Sequence, residues 1–183
     1  MSAEVEDVEN ISANQTFKWV KEDEIQLGSD AREPYFVIVN DTLHFNFFQA
    51  GNDPIAFQPN KMLRKLYLGE TGKWSDKEEW GQPGEIAWQY NVENGTAYAG
   101  SYIGNHYDFF ALGNVSLMLN TSRDGLNWEP SQSDHPVSYV GGGSEVGWNF
   151  DLQGNFYGVI RNEDGDKSGW GSRIAYAPHD ALG

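Results

Sequence analysis

A chain of 183 residues can enclose one sizeable core, and 12 Lys and Arg against 27 Asp and Glu give it a formal charge of −15; this excludes nucleic acid and anionic membrane surfaces, whose counterions such a protein cannot displace. Cysteine is absent, so disulfides, zinc–thiolate sites and thiol catalysis are excluded together. Seven Trp, nine Tyr and ten Phe beside 21 Gly exclude a disordered acidic chain and point to many short strands joined by tight turns.

Residues 1–29 form an acidic N-terminal segment, expected to be partly a strand. It opens with MSAEVEDVEN, which has no apolar h-region, so no signal peptide is visible. No later run approaches the ~18 apolar residues of a membrane helix, and no membrane insertion is expected. REPYFVIVNDTLHFNFFQAG at 32–51 alternates: Tyr35, Val37 and Val39 share one face, Phe36 and Ile38 the other. QPNKMLRKLYL at 58–68 carries the one helical signal, a turn or two, and its second half reads as a strand running into GETGKW at 69–74. GEIAWQYNVENGTAYAGSYIG at 84–104 contains Asn94-Gly95, which suits a tight hairpin turn, and leads to VSLMLNTSRDGLNW at 115–128. SEVGWNFDLQGNFYGVIRNEDGD at 144–166 turns at Gln153-Gly154 and continues with SRIAYA at 172–177.

These stretches repeat one order of events. The turn residues Asp41, Gly95 and Gly154 are 54 and 59 residues apart, and Trp74 and Trp128, each after a Gly turn, are 54 apart. A period of ~50–60 residues with several strands per unit is the signature of propeller blades. The expectation for 30–183 is an all-β, β-propeller-like array of about three four-stranded antiparallel blades, an incomplete ring completed by further blades or a partner chain. A sandwich or jelly roll with accidental spacing is the alternative.

Blade geometry sorts the polar residues. Strand starts supply Arg32, Glu33, Glu85 and Glu145 to one rim, and the loops returning to that rim supply Asp53, Asn105, His106, Tyr107, Arg161, Glu163, Asp164 and Asp166. The opposite rim receives the tight turns. The first rim is the expected binding face, with Arg32, Arg161, Glu85, His106 and Tyr107 as substrate-binding candidates. Each has a plainer reading: Glu85 and Glu145 as exposed charges or partners of Arg, Arg32 as a strand cap, His106 as an exposed loop residue. The run Asn162–Asp166 offers carboxylate oxygens to calcium but lacks the spacing of a dedicated calcium loop, and no other cofactor or metal is expected. Gly141-Gly142-Gly143 is a turn before a strand, with no Lys or helix after it to make a phosphate loop. Asn-X-Ser/Thr occurs at Asn10, Asn14, Asn40, Asn94, Asn114 and Asn120, which points to an extracellular or secretory setting.

SRDGLNW at 122–128 resembles the Asp-box of the sialidase superfamily, Ser-X-Asp-X-Gly-X-Thr-Trp, keeping Ser122, Asp124, Gly125 and Trp128. It is one residue shorter between Asp and Gly and has Asn127 in place of Thr. GETGKW looks like a decayed copy. Arg32-Glu33-Pro34 is similar to the Arg-Ile-Pro that opens sialidase blades, and Ser144-Glu145 followed by LQGNFYGVIRN at 152–162 is similar to that family's Glu strand, turn and Arg strand. The resemblance implies a structural Asp-box on the face opposite the active site, Arg32 and Arg161 clamping a substrate carboxylate, Glu145 activating a nucleophilic Tyr, and Asp53 as acid/base. It implies a protein that binds, and as an exo-sialidase-like glycoside hydrolase cleaves, a glycan. The family's third Arg and its Tyr have no counterpart by motif, Arg173 and Tyr176 being the late candidates. Two other functions fit the residues: a non-catalytic propeller module for protein or glycan contact, and a five-bladed furanosidase-like glycosidase drawing its acids from Glu33, Asp53, Glu85 and Glu145.

Overall fold

The architecture follows from a computed structural model that describes residues 2–4, 18–53, 55, 58–104, 114–167 and 169–182. The described residues are all β, without helix. Strands β1 (Ser2–Glu4) and β2 (Lys18–Val20) pair antiparallel in the N-terminal segment. Three antiparallel meanders follow. Sheet one holds β3 (Ala31–Val39), β4 (Thr42–Ala50) and β5 (Pro59–Leu68), with its outer position shared by β6 (Lys73–Trp74) and β7 (Glu78–Trp80). Sheet two repeats the plan with β8 (Ile86–Glu93), β9 (Thr96–Gly104), β10 (Val115–Ser122), and β11 (Glu129–Pro130) and β12 (Tyr139–Gly141) sharing the outer position. Sheet three runs β13 (Gly143–Phe150), β14 (Phe156–Asp166) and β15 (Gly169–Ala177).

The strand starts thus fall at 31, 86 and 143, beside the Arg32, Glu85 and Glu145 that the repeat singles out. Two expectations are corrected. The fourth strand is split in sheets one and two, and sheet three has three strands among the described residues, with β15 as its edge. The stretch at 58–68 has no helical turn, because it pairs with β4 from Pro59 to Leu66 and with β6 at Tyr67 and Leu68. The described residues form separate sheets and no closed ring.

The first two hairpins use the turn chemistry of their sequences. Asn40 and Asp41 (φ 47° and 60°) and Asn94 and Gly95 (φ 50° and 73°) place both central residues in the left-handed region, the type I′ geometry that matches strand twist. Asp151 Oδ1 accepts from the Gln153 and Asn155 amides, both at 2.9 Å, and closes the third turn.

Sheet two lies in the middle. β3 packs on β8, and β13 packs on β8, β9 and β10, so both of its faces are covered. The core runs through all three sheets: Val37, Val39, Phe48 and Met62 from the first, Ile86, Tyr90, Ala99 and Leu117 from the second, Val146, Trp148 and Ile160 from the third. Aromatic contacts mark the seams, with Tyr35 on Tyr90 (5.4 Å) and Trp80 on Trp128 (5.3 Å) between sheets one and two, and Tyr98 on Trp148 (6.3 Å) between two and three. The alternation read in β3 holds, with Val37 and Val39 buried and Phe36 and Ile38 exposed.

Candidate functional site

Two clusters of side chains carry the residues of interest. The first is the turn at 122–128. Ser122 Oγ accepts from the Gly125 amide (2.9 Å) and donates to Asp124 Oδ1 (3.0 Å). Asp124 Oδ1 also accepts from the amides of Leu126 and Asn127, each at 2.8 Å, while its Oδ2 takes the Asn127 side-chain amide at 2.7 Å. These donors, the Asn127 amide first, hold the Asp124 carboxyl far below the ordinary carboxylate range. Trp128 donates Nε1–H to the Gly125 carbonyl at 3.1 Å and stacks on Trp80.

The turn is anchored from sheet one. Arg64 donates to the carbonyls of Leu126 (2.7 Å) and Gly125 (3.3 Å) and pairs with Glu78 at 3.1 Å. His44, 1% exposed, lies against Gly125. Burial first, then the Arg64 charge, lowers the His44 pKa. Nothing local in the sequence ties Arg64 of β5 or His44 of β4 to a turn about 60 and 80 residues away.

The second cluster sits where strands begin. Each first strand carries a bulge near its start: between Arg32 and Tyr35 in β3, between Ala87 and Gln89 in β8, and between Gly143 and Val146 in β13. A bulge re-aims side chains that regular pleating would alternate. The first and third bulges hold Glu33 and Glu145. Glu33 has φ 51° although it is not glycine and precedes Pro34, whose ring drives its neighbour toward extended backbone. Such a conformation costs ~1–3 kcal/mol and persists where surroundings enforce it. The Glu33 carboxyl is half-buried and its pKa is raised, by burial first and then by the Glu145 charge, with Arg32 opposing. Sheets one and three thus bring two carboxyls within electrostatic reach of each other. Arg161 of β14 donates to Glu145 at 2.5 Å.

Arg32 pairs with Asp30 at 2.5 Å. Asn52 ties the neighbouring loop to this entrance, accepting from the Asp30 amide (3.1 Å) and donating to the Gly28 carbonyl (3.0 Å). Asp53 follows in that loop and accepts from the Ile55 amide at 2.8 Å. Glu85 is placed elsewhere. It is 3% exposed, and its carboxylate is met by Ser101 Oγ (2.6 Å), the Asn120 amide group (3.2 Å) and the Gln82 amide (3.0 Å). It fastens the entrance of sheet two rather than facing the rim, and it occupies the side chain of Asn120, one of the six sequon residues. Asn105, His106 and Tyr107 lie outside the described residues.

Within the run Asn162–Asp166, Asp166 is engaged by Arg173 and by Tyr139 Oη at 3.3 Å. Among the described residues no three His, Asp or Glu gather to hold a metal ion. Tyr176 packs on Tyr157, rings tilted by 52° with centroids 5.0 Å apart, on the outer face of sheet three, and Arg173 pairs with Asp166, so the two late candidates are already engaged. The residue undervalued in the sequence is Glu33. Its signal was a Glu directly before Pro at a strand start. No protein-family model matches the chain, and no curated protein matches it.

Proposed function

We propose that the three sheets are blades of a sialidase-like β-propeller array, and that the rim carrying Glu33, Glu145 and Arg161 binds a neutral glycan and hydrolyses it with the two carboxyls. The observation that carries the reading is Glu33: a strained, half-buried carboxyl at a bulge, its pKa raised partly by Glu145. Pairs of carboxyls whose environments separate their proton affinities are what glycoside hydrolysis uses. Glu33 would give its proton to the leaving oxygen as the glycosidic C–O bond breaks. Glu145, ion-paired with Arg161, would attack the sugar carbon or take a proton from the incoming water. Arg32 and Asp53 flank this centre through the Asp30 and Asn52 contacts. Both guanidiniums face carboxylates, which favours a neutral sugar over the anionic one of the sialidases. Support for the blades comes from the stacking of β3, β8 and β13 and from the Asp124 turn.

A panel of neutral and sialylated aryl glycosides, joined to a glycan array, tests the reading. Hydrolysis of a neutral glycoside should fall by ~10²–10⁴-fold in Glu33→Gln, the range for losing a general acid. In the wild type the rate should decline as pH rises through the elevated Glu33 pKa. Glu33→Gln turning over at the wild-type rate would reject the assignment, and binding without any hydrolysis would leave a non-catalytic glycan module.

A further inference from the structure

The three sheets stack by one rule. The Val37–Val39 face of sheet one meets sheet two, and Trp128 of sheet two reaches back to Trp80 of sheet one. The other face of sheet two meets Trp148 of sheet three, with Gly100 leaving room for its indole. Two faces of this stack have no neighbouring sheet among the described residues. On sheet three, the cross-strand pairs Tyr157–Tyr176 and Val159–Ile174 point outward, with Ile174 85% exposed. On sheet one, Phe36 and Ile38 are 57% and 61% exposed.

We propose that a second copy of this chain covers both faces. The outer face of sheet three in one copy packs on the outer face of sheet one in the other, twice over, in a closed pair.

Three observations single out a second copy. First, the two faces are opposite halves of an interface that the chain already makes internally. Trp74 precedes Trp128 by one 54-residue repeat and lies with Phe36 (6.0 Å) and Phe45 (6.1 Å) on the outer face of sheet one. Trp128 uses the equivalent position to meet the preceding sheet, so Trp74 is placed to meet one too. Second, the described part of the N-terminal segment covers only part of this face. Asp23 pairs with Lys65, and Ile25 lines one hollow with Phe36, Phe47 and Trp74, while Phe36 and Ile38 keep more than half of their surface exposed. Third, the area suffices only for a closed pair. Three strands of nine residues present roughly 14 Å by 30 Å of sheet face. One such contact buries roughly 850 Å² over both partners, below a stable interface, whereas two reach roughly 1,700 Å², the standard size. Apolar contact must carry the association, because each copy brings a charge of −15.

Sedimentation equilibrium of the full chain from low to high micromolar concentration, at physiological salt, reads the oligomer directly. The expected species is a dimer. Ile174→Glu and Phe36→Glu should each weaken it by roughly tenfold or more, since each forces a carboxylate against apolar surface. Both side chains are exposed, so near-ultraviolet circular dichroism should match the wild type; should Phe36→Glu disturb it, Ile38→Glu replaces it on the same face. A wild-type chain that stays monomeric throughout overturns the proposal and leaves the faces to a different polypeptide. A dimer that Ile174→Glu breaks and Phe36→Glu leaves intact overturns it as well, since that pattern marks a symmetric contact between two third sheets.

Discussion

Asp124 and Glu33 are carboxyls shifted in opposite directions, and the causes assign them different work. Asp124 is lowered by donors from its own turn, chiefly the amides of Asn127 and Leu126, so its charge is spent on shape. Asp124→Ala should destabilise the fold by about 1–2 kcal/mol, the range for losing a capping side chain. Because the folded-state pKa is depressed, this contribution is present above the unfolded value of ~3.9 and lost as pH falls through the folded one. Denaturant midpoints of wild type and variant should therefore converge in acid. Glu33 is raised, by burial first and the Glu145 charge second. Its folded state favours the proton, so its contribution is present below the unfolded value of ~4.3 and lost as pH rises through the folded value. Glu33→Gln should match the wild type in acid and equal or slightly exceed it in stability at neutral pH. A clear loss of stability at neutral pH would mean that the Glu33 carboxylate is a structural ion-pair member instead.

Sheet-to-sheet packing sets the next level. β9 comes close to sheet three at Gly100, where a Cβ would stand 2.8 Å from Trp148 Nε1 and 3.1 Å from Val146 Cγ1. Gly100→Ala should cost ~1–3 kcal/mol by overpacking, seen as a lower thermal midpoint with blue-edge changes in Trp emission; an unchanged midpoint would show that the Trp148 indole can step aside. The elements whose cause is local were legible in the sequence. Asn40-Asp41 and Asn94-Gly95 announce their turns, the alternation in 35–39 announces a strand, and the bonds of Ser122 and Asp124 close within 122–128. What depends on a neighbouring sheet was not legible. Glu85 reads as a rim charge until Ser101 and Asn120 meet it. The left-handed Glu33 contradicts its own Pro34, and only the bulge that joins β3 to β4 accounts for it. The split outer strands follow from β6 and β7 each pairing with β5, which no local pattern in 69–80 encodes.

At the scale of the whole molecule, electrostatics reduces to pairs against surplus. Lys and Arg number 12 against 27 acids, and Lys21, Arg32, Lys61, Arg64, Lys65, Arg161 and Arg173 all meet a carboxylate. Most cations are thus already committed locally, and the remaining carboxylates repel one another over longer distances. Salt weakens both effects, but not equally. An exposed pair at contact is worth ~0–1 kcal/mol and loses only part of that. Repulsion between carboxylates beyond a Debye length vanishes, and that length shrinks from ~30 Å at 0.01 M to ~8 Å at 0.15 M. Self-repulsion destabilises a compact chain of high net charge, so the net effect of moderate salt is stabilising. The thermal midpoint should rise between these two concentrations, by the same amount in NaCl and KCl because screening depends on ionic strength alone. Dimerisation should strengthen over the same range, since it brings two like-charged copies together. A midpoint that falls with added salt would show that the local pairs outweigh the surplus, and would locate the electrostatic stability of this fold in Arg64, Arg161 and their partners.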